Sequence, residues 1–86
     1  MNLSPTELER LTIFTAAEHA RRLKARGVKL SHPEAVALIA DEMLLAARCG
    51  LAYEAIVDMA ANLLTPDDVE PGVPTLTEFI AVEANF

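Results

Sequence analysis

The chain has 86 residues, 52% of them hydrophobic and 23% charged, with one cysteine and no tryptophan. That is too short for two domains and too apolar for a disordered tail, and Cys49 alone excludes an intramolecular disulfide and points to a reducing compartment. Seven basic residues against thirteen acidic ones give a net charge of −6, which repels a phosphate backbone and so excludes nucleic acid as the expected partner.

Three helix starts are predicted from one recurring chemistry: Ser4-Pro5-Thr6-Glu7, Ser31-His32-Pro33-Glu34 and Thr65-Pro66-Asp67-Asp68. In each, a hydroxyl can accept from an orphan N–H and a proline fills an early position. The acid at the fourth position reaches back to the cap and favours the positive end of the helix. The first helix should run over 5–26 and stop at Gly27, which can take the left-handed cap conformation. Arg21, Arg22, Lys24 and Arg26 fill its last turns, where cations complement the helix dipole without any ligand. On a helical wheel Glu7, Arg10, Glu18 and Arg21 share an arc of roughly 80°, and Phe14 falls inside it. An aromatic among charges suits a partner surface better than solvent.

A second helix is predicted over 32–49, ending at Gly50, and a third over 52–64. The third has no hydroxyl at its start, where Leu51-Ala52-Tyr53-Glu54 stands. The second is apolar almost all round: Leu38 and Leu45 share a side with Glu34, Asp41, Glu42 and Arg48. A helix of that kind is the central member of a small bundle, partly covered by another subunit, or both. Its stretches free of polar residues, Met43 to Ala47 among them, are far short of the ~20 residues a membrane span needs. Glu7, Glu9 and Arg10 interrupt the apolar stretch an export signal would need, so a cytoplasmic protein is expected.

Pro66, Pro71, Gly72 and Pro74 break any helix longer than a turn or so after Thr65, leaving a short helical turn over 66–70. Over 79–86 the residues alternate, with Ile80, Val82 and Ala84 opposite Phe79, Ala81 and Glu83, as in a half-buried strand. No second strand-like segment is evident in the sequence, so this strand is expected to pair with another chain or lie under the helices. The fold class is mainly α, with a minor β element (α+β): a small bundle of three main helices, a short helix and a C-terminal strand, in one domain spanning 1–86.

The chemistry-bearing residues are sparse. His19, His32 and Cys49 are the imidazole and thiol ligands available, and they lie on separate segments, so no metal site is expected in this chain. Ser4 and Ser31 are engaged as caps, no basic pocket beyond Arg48 adjoins Cys49, and Asp67, Asp68 and Glu70 are first-turn acids. Gly27, Gly50 and Gly72 are too dispersed for a phosphate loop. The residues describe no independent enzyme, and no catalytic, cofactor-binding or metal residue is assigned.

The run Arg26-Gly27-Val28-Lys29-Leu30-Ser31-His32-Pro33-Glu34-Ala35, preceded by Ala20-Arg21-Arg22 and followed by Val36-Ala37-Leu38-Ile39, resembles the urease gamma subunit family. The likeness extends to Leu3-Ser4-Pro5, to Gly72-Val73-Pro74 and to Val82-Glu83-Ala84-Asn85-Phe86, in order along the chain. The family usually carries Asn at the position of Ser31, which also caps, and its members continue beyond the position of Phe86 into a second strand. The resemblance implies a mainly helical subunit with a short β element. It would assemble with beta and alpha subunits into a trimer of heterotrimers that hydrolyses urea to ammonia and carbamate. It places the two nickel ions and all their ligands in the alpha subunit, so this chain would be a non-catalytic structural subunit acting through its contacts. Phe14, Leu38, Leu45, Phe79, Val82 and Phe86 are the expected interface residues. The alternative is a divergent gamma-like helical module that self-associates and has no role in a urease.

Overall fold

The computed structural model describes residues 4–72, and in them three α-helices run in order: α1 (Pro5–Ala25), α2 (His32–Arg48) and α3 (Tyr53–Ala61). The first two begin as the sequence predicts. The Ser4 N–H donates to Glu7 Oε1 at 3.1 Å and the Glu7 N–H donates to Ser4 Oγ at 3.2 Å. The Ser31 N–H donates to Glu34 Oε1 at 2.8 Å, with the Glu34 N–H returning to Ser31 Oγ at 3.4 Å. Each reciprocal pair satisfies two backbone donors that the helix start would otherwise leave without partners.

Both helices also end alike. Gly27 and Gly50 take φ of 77° and 87°, left-handed values that cost a residue without Cβ little. Val28 then donates back to the Leu23 carbonyl and Gly27 to that of Lys24, each at 3.0 Å. Leu51 likewise reaches Ala46 at 3.2 Å and Gly50 reaches Ala47 at 3.1 Å. These are two Schellman closures, and they set α1 and α2 one residue shorter than the 5–26 and 32–49 predicted.

Helix α3 departs further, starting at Tyr53 without a side-chain cap and stopping at Ala61 instead of residue 64. Asn62 Nδ2 donates to the Asp58 carbonyl at 2.8 Å, and the backbone tightens through Asn62 to Met59 and Leu63 to Ala60. Leu63 and Leu64 are thereby turned onto the core instead of continuing the helix. The short helix expected over 66–70 is a 3-10 turn over Pro66–Asp68. Asp68 Oδ2 accepts from the Thr65 N–H at 2.8 Å and from its hydroxyl at 3.1 Å. Val69 then goes extended and forms a parallel bridge with Leu30. The Leu30 N–H donates to the Asp68 carbonyl and the Glu70 N–H to the Leu30 carbonyl, each at 2.9 Å. This one-residue bridge is a pairing that the sequence reading does not anticipate. The predicted strand itself lies outside the described residues.

The core gathers where α1 and α2 cross. Ala20, Leu30, Ala35 and Leu38 are buried together, and Leu23, Leu63, Leu64 and Val69 close over them. Ala17 and Ala20 have no exposed surface, and side chains this small let the two helices approach closely. Leu38, expected at a subunit surface, is 3% exposed and belongs to this core. It has nearly the phase of Leu45, which is 55% exposed. The two differ in level: Leu30, Leu63, Leu64 and Val69 pack with Leu38, whereas Leu45 lies two turns further on. Among the described residues no helix is long and apolar enough to cross a membrane.

Candidate functional site: the cleft between the first two helices

Toward the start of α1 the helix emerges from this core. Its buried residues are Ala17 and Ala20, and Leu8, Leu11 and Phe14 are each about half exposed. Phe14 lies in a cleft of about 480 Å³ whose walls are Arg10, Glu18 and Arg21 from α1 and Asp41, Glu42 and Arg48 from α2, with Leu44 and Leu45 completing its apolar lining. Successive turns of α1 supply Arg10, Phe14, Glu18 and Arg21, which is why the wheel grouped them.

One wall is fixed by Arg21. Its Nη1 donates to Glu18 Oε1 at 2.8 Å, and its Nη2 donates to Asp41 Oδ2 and, at 2.8 Å, to Glu42 Oε1. Nε adds a longer bond to Glu42 Oε1 at 3.3 Å. Asp41, then Glu42 and Glu18, hold the guanidinium protonated well above its ordinary range, against the desolvation that opposes it. A planar fork can serve three carboxylates where an ammonium would serve them less directionally. The three bonds to α2 also tie the helix pair together beside the cleft. The opposite end differs: among the described residues no carboxylate comes within ion-pair distance of Arg10 or Arg48.

His19 lies on another face, 66% exposed, with Nε2 3.7 Å from Glu34 Oε2. Glu34 is the α2 cap acid, and its carboxyl is held below its ordinary value chiefly by the Ser31 N–H. His32 is exposed at the first turn of α2, and Cys49 is exposed at its end. No three His, Cys, Asp or Glu among the described residues are placed to hold a metal ion. Glu18, Asp41 and Glu42 converge on the Arg21 guanidinium. Nickel favours imidazole-rich sites, so the donors described here do not fit it, and no chemical step is assigned to this chain.

The sequence profile described as "Urease, gamma subunit" matches residues 1–86. The chain belongs to the urease gamma subunit family. It is 55% identical over its whole length to urease subunit gamma of Natronomonas pharaonis, covering 79% of that protein. To urease subunit gamma of Corynebacterium kroppenstedtii it is 45% identical, covering 85%. Urease subunit gamma/beta of Pseudomonas syringae pv. syringae is 48% identical over the same 86 residues, which are 37% of its length. In this urease gamma family member, the cleft brings together two of the residues expected at an interface, Phe14 and Leu45. It excludes Leu38, which is core, and Phe79, Val82 and Phe86 lie outside the described residues. Sequence reading missed Asp41 and Glu42 as partners of Arg21. The signal available was their position on the charged side of α2, which does not say which helix they face.

Proposed function

We propose that residues 1–86 form the gamma unit of a cytoplasmic, nickel-dependent urease, in which this chain is a non-catalytic structural subunit. The enzyme hydrolyses urea to ammonia and carbamate, with nickel held by the alpha subunit. The observation that carries the reading is the family match over the whole chain together with two gamma relatives of similar extent. The relative named gamma/beta supports a beta unit as direct neighbour, since a single chain there carries both names. Half-exposed Leu8, Leu11 and Phe14 on a helix whose opposite side is already packed support a role through contacts. The expected assembly is a trimer of heterotrimers. Co-expression with the cognate beta and alpha chains, followed by size-exclusion chromatography, tests this. The chain should elute with both partners in equal ratio. Elution of the chain alone, beside an intact complex of the other two, contradicts the reading.

A further inference from the structure

We propose that residues 51–70 form a cooperative unit of their own, which releases from the α1–α2 pair without unfolding it and bares Leu30 and Leu38. This holds whether or not the chain sits in a urease.

The two parts of the described chain are held together differently. Helices α1 and α2 bury Ala17, Ala20, Ala35, Leu38, Ile39 and Ala46, and each opens on a reciprocal cap. Arg21 ties them further through its bonds to Asp41 and Glu42. From Leu51 to Gly72, by contrast, Ala60 is buried and every other residue is partly or well exposed. Helix α3 has nine residues and no side-chain cap. A helix shorter than about 12–15 residues does not hold by itself in water, so α3 depends on what it packs against. The 3-10 turn that follows has no buried residue. Lys29 Nζ donates to its Asp67 carbonyl at 2.8 Å on the exposed surface, and the two bonds at Leu30 join it to the segment before α2. Leu63, Leu64 and Val69 lie over the core while themselves only partly buried. Few buried residues and a short, uncapped helix mark a segment that opens at lower cost than the whole fold. Beneath it Leu30 is 0% and Leu38 3% exposed, so release uncovers an apolar face that the closed form hides. A neighbour that contacts α3 would hold the unit closed by mass action.

Native-state hydrogen exchange of the 86-residue chain, in rising urea below its unfolding transition, tests this amide by amide. In the wild type the Leu30, Ala60 and Glu70 amides should have protection factors at least tenfold below those of Ala20 and Leu38. Their urea dependence should also be smaller, because the open form exposes less surface than the unfolded chain. Arg21→Met weakens the helix pair, which stays intact in the open form. It should therefore lower the protection of Ala20 and Leu38 about thirtyfold and leave the other three amides within twofold. Val69→Ala thins the cover of the closed form and should lower both groups about fivefold. Should the Met variant not fold, Arg21→Lys gives the same pattern at smaller amplitude. Leu30, Ala60 and Glu70 amides as protected as those of Ala20 and Leu38 in the wild type, or losing protection in step with them on replacement of Arg21, would overturn the proposal and show one cooperative unit.

Discussion

Replacing Arg21 by Met removes the α1 side chain that bonds Asp41 and Glu42 of α2 while keeping its apolar stem. Its side chain is 28% exposed, and its two acceptors on α2, Asp41 and Glu42, are 16% and 29% exposed. An exposed ion pair contributes about 0.2–1 kcal/mol, whereas breaking a buried one costs about 3–5 kcal/mol because a charge is left uncompensated. This cluster lies between those limits, and the substitution leaves three carboxylates facing one another, so about 2 kcal/mol is expected. For a domain of this size that lowers the melting temperature by about 8–16 °C. Thermal unfolding followed by circular dichroism measures it. Near 1 M salt the screening length falls to about 3 Å and the deficit should shrink. Arg21→Lys should fall between, since it restores charge without the fork. A melting temperature for the Met variant within about 2 °C of wild type, at low salt, would show that the cluster decorates the surface and does not hold the helices.

Leu38→Ala should cost about 3 kcal/mol as a core truncation, while Phe14→Ala, half exposed, should cost under about 1 kcal/mol; urea unfolding of the two variants separates the core residue from the half-exposed one, and equal losses would contradict their placement. Glu7, Glu34 and Asp68 all have carboxyls held below their ordinary values by the backbone and side chain of their cap residues. Their folded forms therefore bind protons less readily than the unfolded chain, so their contribution is complete above the ordinary carboxylate range and is lost as pH falls through the lowered folded values. Glu34→Ala should accordingly be less stable than wild type at pH 7, and the gap should narrow as pH falls below the ordinary carboxylate range; a gap that does not change with pH would mean the loss is not electrostatic. In native-state hydrogen exchange the Leu30 and Glu70 amides, which hold the bridge, should be protected well beyond that of Gly72, and exchange of both at the rate of an open loop would remove the bridge.

What the sequence discloses here is local chemistry. Ser4 with Glu7, Ser31 with Glu34, and the glycines at 27 and 50 act over three or four residues, and the helices they bound are placed to within about a residue. The wheel correctly joined Phe14 to Arg10, Glu18 and Arg21 because those positions recur on one side of a single helix. It could not separate Leu38 from Leu45, since phase says nothing of the level at which another segment covers a helix. Nor could it pair Leu30 with Val69, or Arg21 with Asp41 and Glu42, because those contacts depend on how distant segments meet. Helix α3 ran long in prediction because its apolar pattern continues through Leu63 and Leu64, residues that the fold uses as a cover for the core. The family itself was legible in the uninterrupted run from Arg26 to Ala35.

The central claim is that this chain supports a urease without performing its chemistry, and ammonia release from urea under nickel supply tests it most directly. The purified chain alone should release none. Added in steps to its cognate beta and alpha chains, it should raise their activity until it equals them in number and then have no further effect. Sustained turnover by the chain alone, lost on replacing His19 or His32, would contradict the account, as would a beta and alpha preparation whose activity and assembly are indifferent to the chain at every ratio.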